Sequence, residues 1–200
     1  MRLRSAILAL MLTIVAGLAA CSPRSTVAEP GSYPAANSSD CLPAVTLVDQ
    51  HGRDVTLASL KGRPVLIDFI YTTCPGPCPL MTARMAAVAK LLGPKLGSQV
   101  TFVSITIDPE RDRPAELEKY ASARGADTAG WLFLTGTPAQ IDQVLAVYHL
   151  ERMRNPDGTV NHSAASFLLG PDGHQVRQYQ PLEVKASTVV TDIERTLPQG

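Results

Sequence analysis

Cys74 and Cys78 are the residues of this chain best placed to do chemistry. They stand four positions apart in Asp68-Phe69-Ile70-Tyr71-Thr72-Thr73-Cys74-Pro75-Gly76-Pro77-Cys78-Pro79-Leu80-Met81, between an apolar run and a stretch of helical periodicity. A helical turn takes about 3.6 residues, so the spacing predicts both sulfurs on nearly one helix face. Two such sulfurs can bond to each other or grip one soft ion. A helix start favours the thiolate over the thiol, because unpaired amide N–H groups and the helix dipole meet the negative charge. The thiolate is both the nucleophile of disulfide exchange and the ligand of soft metals. Pro75, Pro77 and Pro79 remove amide donors and stiffen the segment. The plain alternative is a buried, inert disulfide, although a helix start after a buried strand normally sits at the open end of a domain.

The elements that must position this pair follow from periodicity and punctuation. Residues 45–48 and 55–57 read as a hairpin about the turn His51-Gly52. Residues 64–71 form a nearly continuous apolar strand, as expected where both faces are covered. Met81, Met85, Val88 and Leu92 recur at helical spacing until Gly93-Pro94 stops the helix. A second buried strand spans 100–107, and Pro114 opens a helix to about Ala123. Residues 131–134 form a strand, and Thr137-Pro138-Ala139-Gln140 is a capping-box start to a helix reaching about Tyr148. Asn155-Pro156-Asp157-Gly158 is a turn. Residues 166–169 and 175–179 flank Gly170-Pro171-Asp172-Gly173 as a hairpin, and an amphipathic stretch over 184–197 closes the chain. This α/β order, with a dithiol at a strand-to-helix junction, resembles a thioredoxin-like fold. The added N-terminal β-hairpin is similar to that of the peroxiredoxin and Sco-like branches.

The 200 residues fit one domain with appendages, and 45% hydrophobic content is ample for a core. Lys+Arg 18 against Asp+Glu 18 leaves no basic footprint, so no nucleic-acid partner is expected. Arg2 and Arg4 precede an apolar run from Ala6 to Ala20, the pattern of a signal peptide over 1–20. Its end, Leu18-Ala19-Ala20-Cys21, resembles the lipobox of bacterial lipoproteins, which implies cleavage before Cys21 and its lipidation. An uncleaved anchor or a plain secretory signal are the alternatives. All three put the domain outside the cytoplasm, where cysteine pairing is permitted. Residues 21–40, rich in Ser, Pro, Ala and Gly, read as a flexible membrane tether, and 41–200 as the domain. Cys41 is left over, with a free thiol at the domain edge as its plain reading.

Three motifs in order carry a more specific likeness: Thr73-Cys74-Pro75-x-x-Cys78-Pro79, then Ser104-Ile105-Thr106-Ile107-Asp108-Pro109-Glu110-Arg111-Asp112, then Asn161-His162-Ser163 ahead of Phe167-Leu168. Over about residues 41–197 the chain resembles the Sco/SenC family. The resemblance implies a thioredoxin-fold copper protein, tethered at the extracytoplasmic (periplasmic) face of a membrane, that helps load copper into cytochrome c oxidase. It implies Cys74, Cys78 and His162 as ligands of Cu(I) or Cu(II), and a redox-active disulfide between the same two cysteines. The partners are then the copper-accepting oxidase subunit, an upstream copper donor and a thiol reductant. Two departures stand out: Gly76-Pro77 replaces the acidic residue common after the first Cys-Pro, and Asn161 stands where Asp is common.

Other residues compete for roles. A lone His is more often structural than a ligand, so His162 owes its assignment mainly to the resemblance. His51, His149 and His174 sit at turns or a helix end and read as bland. Met81 and Met85 read as core despite their soft sulfurs. Asp68, six positions before Cys74, is a carboxylate in a buried strand. It is either a hydrogen-bonded core residue or, like the buried Asp of thioredoxins, an aid to proton transfer. The mixed-charge run 108–113 reads as a solvated loop, with a place near the metal site as the sharper option. The enzymatic alternative is a thiol–disulfide oxidoreductase acting on a copper-accepting partner. The spacing opposes it, since thioredoxin-like sites use Cys-x-x-Cys. A peroxide-reducing enzyme is weaker still, for want of a peroxidatic Thr-x-x-Cys.

Overall fold

The computed structural model describes residues 41–197. The signal, lipidation and tether readings fall on residues 1–40 and lie outside the described residues. Among the described residues no helix is long and apolar enough to cross a membrane.

A seven-stranded sheet runs in the order β2-β1-β5-β4-β3-β8-β9. Its strands are β1 (Thr46–Asp49), β2 (Asp54–Thr56), β3 (Val65–Ile70), β4 (Thr101–Thr106), β5 (Trp131–Thr135), β8 (Ser166–Leu169) and β9 (Gln175–Tyr179). The helices are α1 (Pro77–Leu92), α2 (Pro114–Ala123), α3 (Pro138–Val147) and α4 (Ala186–Thr196). A separate two-stranded ribbon, β6 (Met153–Arg154) with β7 (Val160–Asn161), stands outside the main sheet. The sheet is parallel through β3, β4 and β5, while β8 joins β3 antiparallel. The N-terminal hairpin extends the sheet by pairing β1 antiparallel to β5.

β3 and β4 are fully buried, which accounts for their continuous apolar sequence. Asp68, Ser104 and Phe133 lie side by side in register and share one face. Three helices cover that face. α1 packs along α4, Thr82 of α1 hydrogen-bonds Tyr120 of α2 at 2.9 Å, and the Tyr120 ring meets Phe133. On the other face Phe69 and Phe167 pack against Tyr148, which follows α3. Each of α1, α2 and α3 begins with proline, whose missing N–H is unpaired in a first turn anyway. Thr137 and Gln140 form the expected capping box at α3.

Three local expectations need correction. Cys74 does not lie on α1: the helix begins at Pro77, so only Cys78 is helical. A residue before proline is steered out of the α region. Cys74 and Gly76 both precede prolines, and Gly76 adopts φ −122°, ψ −114°, whereas Cys78, which precedes Pro79, is helical all the same, so the rule is a bias that the first turn of α1 overrides. The ribbon β6–β7 is additional, with Asn155-Pro156-Asp157-Gly158 as its turn and the amide of Gly158 donating to the Asn155 carbonyl at 3.0 Å. Cys41 is not a free thiol; it is disulfide-bonded, and its backbone bridges His174.

Candidate metal centre

Cys74 sits in the turn leaving the C-terminal end of β3, where its amide donates to the Tyr71 carbonyl at 3.3 Å. Cys78 follows in the first turn of α1. His162 comes 84 positions later, immediately after β7 on the connection to β8. The structure brings His162 to the cysteines. Its Nε2 stands 4.0 Å from the Cys78 Sγ, and its ring lies edge-on to Tyr71 with centroids 6.2 Å apart. Its Nδ1 is 3.1 Å from the Ser163 carbonyl. A carbonyl only accepts, so Nδ1 carries the proton and Nε2 turns a lone pair towards the sulfur. Burial holds the imidazole below its ordinary pKa, against the pull of the Ser163 carbonyl.

The two thiols are unlike. Both are buried and free, Cys78 completely and Cys74 at 9% exposure. Burial alone would raise Cys74. The backbone and thiol of Cys78, the Gly76 amide and the Tyr71 phenol outweigh it and bring Cys74 below the usual thiol range. Cys78 is pushed far up, first by burial, then by the neighbouring Cys74 sulfur and the Asp68 charge. The more acidic of the two thiols is therefore the cysteine just outside the helix.

Two sulfurs and a neutral imidazole form a donor set suited to copper: thiolate fits Cu(I), and imidazole fits either oxidation state. Metal bonds of about 2.0 Å to nitrogen and about 2.3 Å to sulfur leave room for one ion between His162 and Cys78 at their present separation. Among the described residues no three His, Cys, Asp or Glu side chains are already closed about one point. Seating an ion on all three therefore requires the three side chains to draw closer together.

Asp68 is fully buried on the face that α1 covers. Burial raises its pKa to about 7, the Ser104 hydroxyl and its own backbone opposing the rise weakly. Neither carboxyl oxygen has a partner at full hydrogen-bonding distance, and Ser104 instead accepts the Trp131 indole N–H at 3.0 Å. Met81 and Met85 are buried in the core, as their spacing predicted. His51 is an exposed turn residue, and His149 ends its helix with the left-handed φ of 53°.

The run 108–113 is not a solvated loop: Asp108 and Asp112 are completely buried. Asp112 accepts the Thr72 amide at 2.9 Å, the Thr72 hydroxyl at 2.5 Å and the Thr106 hydroxyl at 2.6 Å. Arg111 donates to the Thr73 hydroxyl at 3.2 Å. These bonds tie the loop to the cysteine turn. On its other side Asp108 pairs with Arg154 of β6, and Arg152 donates to the Ile107 carbonyl at 3.2 Å and to Glu110 at 2.9 Å. The same loop thus grips the ribbon that leads to His162. Charge pattern alone concealed this, because the partners of Asp108 and Glu110 lie more than 40 positions away. The only sequence signal was the match of this run to the second family motif.

Comparison with known proteins agrees with this geometry. A family model described as SCO1/SenC matches residues 35–198. The chain is 33% identical over 153 residues to the SCO1 protein homolog of Bacillus subtilis, covering 74% of this chain and 79% of that one. The solved structure of Bradyrhizobium japonicum ScoI with copper bound superposes with TM-score 0.69 at 32% identity, over 78% of this chain and 99% of that one. BsSco, described as a Sco-family member of the cytochrome c oxidase assembly proteins with a disulfide switch, superposes with TM-score 0.67 at 33% identity, over 78% and 92% of the two chains.

Proposed function

Because the chain belongs to the SCO1/SenC family, we propose that it binds one copper ion through Cys74, Cys78 and His162 and hands it to the copper-accepting subunit of cytochrome c oxidase during assembly. The observation that carries this reading is the imidazole Nε2, deprotonated and 4.0 Å from the Cys78 sulfur. Copper is cargo here, released by ligand exchange. Binding requires both thiols reduced, so a thiol reductant acts beforehand and a copper donor supplies the ion. The domain works outside the cytoplasm, held to the membrane through its N-terminal segment and the tether 21–40. The copper-bound relative supports the ligand chemistry, and the N-terminal sequence supports the location.

The unlike thiols support a second reading, reduction of a disulfide in the copper-accepting partner. The Cys74 thiolate would attack one partner sulfur and expel the other as thiolate. Cys78, giving up its proton, would then attack Cys74 in the mixed disulfide and release the first partner sulfur. The protein ends oxidised at Cys74–Cys78 and the partner ends reduced by two electrons. Copper titration of reduced wild-type protein and of His162→Ala separates the two readings. Loss of stoichiometric copper and its sulfur-to-copper absorption bands, with dithiol exchange intact, supports copper delivery. Unchanged copper binding by His162→Ala refutes the three-ligand site.

A further inference from the structure

The ribbon that delivers His162 cannot stand by itself. β6 and β7 have two residues each and pair as strands only with each other, outside the main sheet, the Tyr71 hydroxyl adding one bond to the Val160 backbone. An isolated two-stranded ribbon is marginal in water. In register, Met153 faces Asn161 and Arg154 faces Val160, so His162 is the next residue beyond the ribbon. Where the ribbon goes, the imidazole goes. Its apolar anchor is Val160, while Met153 is exposed.

Besides that Tyr71 bond, the loop 108–112 holds it down. Asp108 is fully buried and its Oδ1 pairs with Arg154, whose side chain is 36% exposed. Its Oδ2 is buried without a hydrogen-bond partner. A buried carboxylate demands compensating charge, so Asp108 draws Arg154 inward. The ribbon's turn rests on the same loop: a Cβ at Gly158 would stand 3.4 Å from Arg111 Nη2. Arg111 in turn holds Thr73, and Asp112 holds Thr72, the two residues before Cys74.

We propose that Asp108 and Arg154 are positioning residues whose ion pair locks the His162 ribbon against the cysteine turn, so that copper is held by three ligands when the pair is made and by the sulfurs alone when it is broken. This rests on the copper-binding role proposed for the site and adds its control: a partner that competes for Arg154 loosens the imidazole first.

The test uses Asp108→Asn, which keeps shape and removes charge, Arg154→Gln and the double variant. Reduced protein receives one equivalent of Cu(II). Pulsed electron paramagnetic resonance reads the imidazole nitrogen, chelator competition reads affinity, and hydrogen exchange over residues 151–163 is followed without copper. Each single variant is expected to lose about 10-fold in affinity, the scale for groups that orient a metal ligand. The nitrogen signal weakens and ribbon exchange speeds up severalfold. The double variant is no worse than the more affected single, since one interaction is lost either way. Wild-type nitrogen signal and affinity in both singles, or losses that add in the double variant, overturn the proposal. Should Asp108→Asn fail to fold, Arg154→Gln at the surface decides the matter alone, by the same readouts. His162→Ala separates the two claims. If it keeps the wild-type nitrogen signal, the copper reading itself fails. If it loses the signal while Asp108→Asn and Arg154→Gln do not, only the lock fails.

Discussion

Replacing Asp68 by Asn should make the stability of the reduced, copper-free protein much less dependent on pH. Asp68 is fully buried, and burial moves its carboxyl from 3.8 to about 7. Between those values the folded protein holds a proton that the unfolded chain has released. Stability then falls as pH rises, by about 1.36 kcal/mol per pH unit. The contribution is fully present below pH 3.8, is lost by about pH 7 and is flat above. A window of about three pH units sets a ceiling of about 4 kcal/mol. Asn has the same shape and does not titrate. The advantage of Asp68→Asn over wild type should therefore widen by up to about 4 kcal/mol from pH 4 to pH 8, or roughly 8–16 °C in Tm for a domain of this size. Urea unfolding of both proteins across that range is the assay. Subtracting one profile from the other cancels the remaining carboxylates, including Asp49 and Glu110, whose pKa values are lowered and whose stabilisation is lost in acid. Parallel profiles would mean that Asp68 is ionised in the fold and stabilised by a partner, which would refute its burial as a neutral acid.

The two thiols should alkylate unequally: near neutral pH, iodoacetamide followed by peptide mapping should find Cys74 modified well before Cys78, and the reverse order would refute the assigned asymmetry. Asp112→Ala removes the acceptor of three hydrogen bonds to Thr72 and Thr106. With charged-acceptor bonds worth about 1.5–3 kcal/mol each and partly replaced by water, unfolding should show a loss of about 2–4 kcal/mol; a change below about 0.5 kcal/mol would show that the cysteine turn holds itself. Protein extracted from the membrane fraction should carry its anchor at the N-terminus, read by sequencing and mass. A chain beginning at Cys21 with acyl mass is the lipidated form, whose thioether sulfur has no bond left for a second cysteine, so that the Cys41 disulfide cannot close within the chain; a chain that keeps residues 1–20 is held by an uncleaved anchor; recovery in the soluble fraction would refute the membrane tether.

What the sequence disclosed and what it hid differ in range. β3 and β4 were legible because continuous apolar residues have one common cause, cover on both faces. The starts of α2 and α3 were legible because proline and the Thr137–Gln140 pair act within a single turn. The start of α1 was misplaced because helical spacing was weighed above the two X-Pro steps, which act just as locally. The ribbon β6–β7 was invisible for another reason: strands of two residues carry no period. The burial of Asp108 was invisible because charge favours solvent unless a partner is supplied, and Arg154 is supplied 46 positions later by the fold. His162 shows the limit most clearly. Nothing near it in sequence marks a ligand, and only the family motif connected it to residues 84 positions earlier.

One physical cause runs through the centre. Burial is the leading reason that Cys78 and Asp68 are pushed up and that His162 is pushed down. In each case it disfavours the charged form. Cys74 is the exception: amides, the Cys78 thiol and a phenol aimed at its sulfur outweigh burial and bring it below the usual thiol range. On the proposed role a cation would bond Cys74, the more acidic thiol, displace the Cys78 proton and meet the bare Nε2 of His162. Copper entry would then be an exchange of cation for proton in a buried setting, favoured as pH rises. The same logic explains why a reduced pair is needed: a disulfide offers neither the anion that starts the exchange nor the proton that completes it.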